Sequence, residues 1–156
     1  MAKHARFVED SVSSILPFSS RACTMADDSR SWQAASLPKD VPKPVGAYSP
    51  AVRAGDFVFV SGQVPRDPRT GASAGDDIES QVRQVLANVK GALSAAGATL
   101  DDVVSVIVYL ANVDDWGKFN DIYKEIFRPP YPSRTAVGAN LRGILVEISA
   151  VAYVKR

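Results

Sequence analysis

Pro132-Ser133-Arg134-Thr135-Ala136-Val137, followed after Gly138–Gly143 by Ile144-Leu145-Val146-Glu147-Ile148-Ser149-Ala150-Val151-Ala152, is the stretch whose reading decides the fold. β-Branched residues resume on either side of a Gly-containing turn, so the two segments are expected to form antiparallel strands. Period-two alternation sends Ile144, Val146, Ile148, Ala150 and Ala152 to one face and Leu145, Glu147, Ser149, Val151 and Tyr153 to the other. The first face is core. The second carries a single acid among apolar neighbours, where an unpaired charge is costly, so it is a covered sheet face or the wall of a pocket. A planar guanidinium within reach of that acid, from Arg134, is suited to hold a small carboxylate bidentately. A buried interface ion pair between Arg134 and Glu147 is the plainer alternative.

The chain of 156 residues, 46% hydrophobic and 22% charged, is long enough to bury one core without metal or disulfide support. A net charge of +1 does not advertise a nucleic-acid surface. No apolar run approaches the roughly 20 residues that span a bilayer. His4 is the single histidine and Cys23 the single cysteine, and both precede the patterned region. Chemistry there must rest on Arg, Glu, Asp, Tyr, Ser, backbone groups and water, without a His-Cys metal site, a histidine triad or a thiol nucleophile. One cysteine cannot staple the chain internally, which suits a reducing compartment.

Residues 1–31 show no sustained periodicity and are expected to be an unstructured extension, with Met25 an alternative start. Lys3, Arg6, Arg21 and several serines suggest a mitochondrial presequence, against which stand Glu9, Asp10, Asp27 and Asp28. The expected location is cytoplasmic, or mitochondrial if that extension is a targeting segment. The folded domain is expected over residues 32–156. Trp32–Leu37 reads as a short first strand and Pro38–Pro44 as a link. Val45–Arg53 and Phe57–Pro65 form a hairpin about Gly55-Asp56, with Gly62 permitting close approach by a neighbour or ligand. Arg66–Gly75 is a surface loop. Asp76 or Asp77 caps a helix whose stripe is Ile78, Val82, Val85, Leu86, Val89 and Leu93, ended by Gly97. Gln81, Arg83, Gln84 and Lys90 are expected on its solvated face.

Val103–Leu110, apolar almost throughout, is expected to be a central strand covered on both faces. Asp114 or Asp115 opens a second helix through Trp116, Phe119, Ile122, Tyr123, Ile126 and Phe127, stopped by Pro129-Pro130. Trp116 and Tyr123 sit there at core spacing. The order strands, helix, strand, helix, strands implies an α+β domain with two long helices on one face of a mixed sheet. The other face must be covered too, and a second copy of the chain is expected to cover it.

Val45-Gly46-Ala47-Tyr48-Ser49-Pro50-Ala51, Ser61-Gly62-Gln63-Val64-Pro65, Phe119-Asn120 with Tyr123, Pro132-Ser133-Arg134 and Val146-Glu147-Ile148 occur in the order and approximate spacing of a known family. Over roughly Trp32–Arg156 the chain resembles the reactive intermediate deaminase A (RidA, or YjgF) family. The resemblance implies a chorismate mutase-like fold, a homotrimer with barrel-like sheet packing, and a site in each cleft between subunits. It implies hydrolysis of 2-imino acids and their enamine tautomers, such as 2-iminobutanoate and 2-iminopropanoate, to 2-oxo acids and ammonia, with no cofactor and no metal. By the same resemblance Arg134 binds the substrate carboxylate and Glu147 stands near the hydrolytic water. Tyr48, Ser61, Gly62 and Asn120 surround the pocket, and Ala136 takes a place where several relatives carry cysteine, leaving its backbone to touch substrate. Thr135 is larger than the usual residue there, and the loop Gly138–Gly143 is shorter than in some relatives. Two other functions compete. One is a non-catalytic trimeric module that binds a small carboxylate metabolite; the other, a ribonuclease or translation inhibitor, is disfavoured by near-neutral charge and the lack of histidine in the patterned region.

Overall fold

The computed structural model describes residues 30–37 and 44–155. The extension expected at residues 1–31 lies outside them except for Arg30 and Ser31, as do His4, Cys23 and all of the 38–44 link but Pro44. Six strands and two α-helices follow in the order β1 (Gln33–Ala34), β2 (Ala51–Ala54), β3 (Phe57–Gln63), α1 (Ile78–Ala95), β4 (Val103–Leu110), α2 (Trp116–Ile126), β5 (Ser133–Gly138) and β6 (Val146–Tyr153). They make one mixed sheet of order β1-β2-β3-β6-β4-β5, with both helices against one face. The expected α+β class and helix arrangement are therefore observed.

Local chemistry explains the element ends. The Asp77 side chain accepts from the Ser80 backbone N–H at 2.8 Å and starts α1. That bond holds its carboxyl below the ordinary carboxylate range. Gly97, at φ +75°, ends the helix; the Ala98 and Gly97 amides return to Leu93 and Ser94 carbonyls at 2.9 and 3.0 Å, the Schellman arrangement that a left-handed glycine permits. The predicted α1 stripe is buried throughout, with Val82, Val85, Val89 and Leu93 fully covered. It packs on Val58, Val60, Val106, Val108, Val146, Ile148, Ala150 and Ala152 from the central strands.

Several sequence expectations are corrected. The strands carrying Arg134 and Glu147 are not neighbours: β5 pairs parallel to β4, while β6 lies antiparallel between β3 and β4. Helix α2 supplies the crossover that parallel pairing of β4 and β5 requires, so the Gly138–Gly143 segment is not a hairpin turn. Gln81 is not on a solvated face but 2% exposed. Its amide donates to the Gly75 carbonyl at 2.9 Å and accepts from the Leu145 backbone at 2.8 Å, tying α1 to the entry of β6. The third concerns β4, which is interior to the sheet but covered on one face alone: Val106 and Val108 are buried while Val104 and Ile107 are exposed. The first strand is shorter than expected, Gln33–Ala34 alone, and the second begins at Ala51 rather than Val45.

Candidate functional site

Arg134 projects from β5 toward the helix side of the sheet, paired in register with buried Val106 of β4. Above it α2 presents Trp116, Phe119, Asn120 and Tyr123, positions three, four and seven residues apart that share a helical face. An Arg134 Nη2–H donates to Asn120 Oδ1 at 2.9 Å. The guanidinium carbon lies 4.5 Å from the Tyr123 ring centre, 5.3 Å from that of Phe119 and 5.9 Å from that of Trp116. The rings attract the cation through their faces, and the amide fixes its rotation. Trp116 is 47% exposed, so it borders this cluster rather than the core where its spacing had placed it. Among the described residues no carboxylate forms an ion pair with Arg134.

Tyr123 is buried, and its hydroxyl has no hydrogen-bond partner. Burial pushes its phenol up to about 12, outweighing the opposing pull of the Arg134 charge. A cavity of about 220 Å³ opens beside the cluster, lined by Asn120, Tyr123, Lys124, Tyr131, Pro132 and Arg134. Two cations, two phenols and an amide without a lining acid make an anion-receiving wall. Lys124 and Tyr131 are absent from the sequence expectations. The available signal for Lys124 was its place four residues after Asn120 on α2.

Glu147 stands elsewhere. On β6 it lies opposite Tyr109 of β4, on the sheet face turned away from the helices, half-buried and with no hydrogen bond or ion pair to another described residue. Beside it the β3 ladder shifts register between Val60 and Gln63. Gly62 sits within that irregularity, and a Cβ built on it would overlap the Glu147 carboxylate. Close backbone approach at this glycine, expected from sequence, is thus made by the acid itself. Ser61 spends its hydroxyl on the Ser49 carbonyl at 2.7 Å, and its amide bonds the Pro50 carbonyl at 2.9 Å. Those bonds fix the segment that carries Tyr48, whose ring is 46% exposed. Tyr48 and Gly62 line one small cleft with Val45, Pro50, Gln63, Val64 and Arg66.

The seven residues singled out in the sequence therefore fall into two groups within one chain. Arg134, Asn120 and, two residues along the same strand face, Ala136 lie on the helix side, Ala136 packed against the core. Glu147, Gly62, Ser61 and Tyr48 belong to the other group. Strand β4 separates β5 from β6, and Arg134 and Glu147 leave the sheet on opposite faces. The intrachain meeting of cation and acid expected from adjacent strands does not occur. Among the described residues there is no cluster of three or more His, Cys, Asp or Glu side chains suited to a metal, and no helix is long and apolar enough to cross a membrane.

Comparison with known proteins gives the family. Residues 38–154 match the family model Endoribonuclease L-PSP. A RutC family protein of Pyrococcus horikoshii is 46% identical over 117 residues, 74% of this chain and 93% of that protein. A Dermatophagoides farinae protein named 2-iminobutanoate/2-iminopropanoate deaminase is 36% identical over 116 residues, 73% of this chain and 91% of its own. Among solved structures, E. coli TdcF with bound serine superposes with a TM-score of 0.74 at 30% identity, covering 79% of this chain and 99% of that one. With a matching model over most of its length and relatives of this identity, the chain belongs to the endoribonuclease L-PSP family, the RidA or YjgF family that its motifs resemble.

Proposed function

We propose that this chain hydrolyses 2-imino acids and their enamine tautomers to 2-oxo acids and ammonia, in a site formed between two copies of the chain within a homotrimer. The observation that carries this reading is the state of the two charges. Arg134 is clamped by Asn120 and three aromatic rings beside a cavity, and Glu147 is half-buried against Gly62, yet neither has an ionic partner among the described residues. A half-enclosed charge without a counter-charge is costly unless something else supplies one. A substrate carboxylate answers the first, and a water or protonated nitrogen answers the second.

The sheet supports a second copy. Phe57, Phe59, Val104, Ile107, Val137 and Tyr153 are each about two-fifths or more exposed on the face away from the helices, and Phe57 packs against Tyr153 with ring centres 5.2 Å apart and planes tilted by 57°. A contiguous apolar surface of this kind marks an interaction site. Packing that face on a neighbour's β5 edge brings one copy's Glu147 toward another's Arg134.

In this mechanism Arg134 pairs with the carboxylate and aligns the C=N carbon with a water held by Glu147. Water adds to that carbon to give a carbinolamine. Glu147 passes the proton to nitrogen, the C–N bond breaks, and ammonia leaves a 2-oxo acid. A protonated imine is electrophilic already, so positioning and proton relay suffice. The deaminase name of the Dermatophagoides relative supports the reading; the family description as an endoribonuclease does not fit a net charge of +1 with His4 the single histidine. The test couples threonine dehydratase to this protein with semicarbazide as competing trap. Accelerated free 2-oxobutanoate at the expense of semicarbazone is expected, and Arg134→Ala should lose on the order of 2 to 5 kcal/mol of transition-state binding. A trace identical with and without the protein rejects the activity.

A further inference from the structure

The cavity beside Arg134 carries a second positive charge that a short aliphatic imino acid leaves unanswered. Lys124 lines it one helical turn beyond Asn120. The lysine ammonium is 3.4 Å from Asp121 Oδ1, with the two side chains 55% and 77% exposed. A solvent-exposed pair of that length holds its members weakly, and Asp121 does not line the cavity. The hydroxyl of Tyr123, the residue before Lys124 on α2, is buried without a partner, although buried polar groups are ordinarily satisfied. Arg134 uses Nη2 on Asn120 and keeps further N–H donors for a carboxylate. At about 220 Å³ the space exceeds what the methyl or ethyl group of an alanine- or threonine-type imine fills, being the liquid volume of roughly seven waters.

Building on the imine-hydrolysis reading, we infer that this cavity accepts a second anionic group, with Lys124 as its counter-ion, so that 2-imino dicarboxylic acids are preferred substrates. Arg134 takes the carboxylate next to the C=N carbon. Lys124 takes the distal one, and it is a specificity residue that touches no reacting atom. Water adds across C=N, the C–N bond breaks, and the products are a 2-oxo diacid and ammonia, with no change in oxidation state beyond hydrolysis. The reaction that supplies such a substrate is a two-electron oxidation of an acidic amino acid at its α carbon.

Two measurements separate this inference from the reading beneath it. Calorimetric titration of the full chain with 2-oxoglutarate and with 2-oxobutanoate is expected to show the diacid bound about fivefold tighter or better, the scale of one exposed charge contact. Lys124→Gln, at an exposed position that folding tolerates, erases the preference by bringing the affinity for 2-oxoglutarate down to that for 2-oxobutanoate; Asp121→Asn widens it. Equal affinities in the wild type, or a preference that survives Lys124→Gln, overturn the proposal. In the kinetic arm an amino-acid oxidase generates imines from glutamate and from alanine under semicarbazide. Faster turnover of the diacid imine, lost in Lys124→Gln, is the expected result. Turnover of the alanine imine with no diacid advantage overturns this inference alone, whereas diacid-selective binding with no turnover of either imine overturns the deaminase reading and leaves the cavity's selectivity standing.

Discussion

The two faces of the sheet come from the same strands, one residue apart, and meet different fates. Beneath the helices Val58, Val106, Val108, Val146 and Ile148 are at most 1% exposed. On the reverse, Phe57 and Phe59 are 44% exposed, Tyr153 41% and Ile107 39%. Both faces are apolar, so composition does not distinguish them; the supply of cover does. The helices among the described residues cover one side. Arg134 belongs at the margin of the covered side and Glu147 to the bare one, so the division of the surfaces is also the division of the charges. On the proposed reading, a chain built this way holds two halves of a site that only a second copy closes.

The strongest way to break that comparison is to separate the halves genetically. Arg134→Ala and Glu147→Gln are each expected to be inactive alone, yet co-refolded in equal amounts they should recover about a quarter of the wild-type sites, the share in which neighbouring copies contribute an intact group each. No recovery would mean that both groups serve the same chain. Next in size, Leu86→Ala on the covered side should cost about 2 to 5 kcal/mol in urea denaturation. Phe59→Asp on the bare side should leave helix content intact while sedimentation shows dissociation; an unchanged oligomer would sharpen the search for the true contact face. Gly62→Ala is expected to displace the flexible Glu147 side chain, with most activity lost and less than about 1 kcal/mol of stability, since no backbone atom obstructs the new methyl.

The smallest effect concerns Tyr123. Because its folded pKa is raised, the native state retains a proton that the unfolded chain loses, and stability should fall as pH climbs from about 10 towards 12. Tyr123→Phe should flatten that decline and, by deleting an unsatisfied buried hydroxyl, leave stability at neutral pH equal or up to about 1 kcal/mol higher. A marked loss of stability at neutral pH would show that the hydroxyl has a partner in the assembled protein.

Much of this architecture was legible in the amino-acid order. The α1 stripe, its Asp77 start and Gly97 end, the Gly55-Asp56 hairpin and the crowding at Gly62 all rest on local rules whose cause lies within a few residues. Strand pairing does not. The alternation in Val146–Tyr153 identified a strand and its core face, but says nothing of which strand lies beside it, and β4 displaced β5 from the position that chain proximity suggested. Gln81 was misjudged because polarity normally signals solvent; its buried amide serves two backbone groups distant in sequence. The unbroken apolar run of β4 implied cover on both faces; among the described residues one face is left bare, and its cover is proposed to be another molecule. The motifs singled out Arg134 and Glu147, and their separation within one chain became visible only with the register.

The position of β6 has a consequence for biosynthesis. Of the six strands it is the last to be made, yet it is inserted between β3 and β4, with pairing partners on both edges. While a ribosome is still extending the chain, earlier strands face one another across an empty slot, and the sheet is completed only after Tyr153 has emerged. Closure of this sheet is therefore expected to wait for the synthesis of β6, leaving the earlier strands dependent on holding chaperones up to that moment.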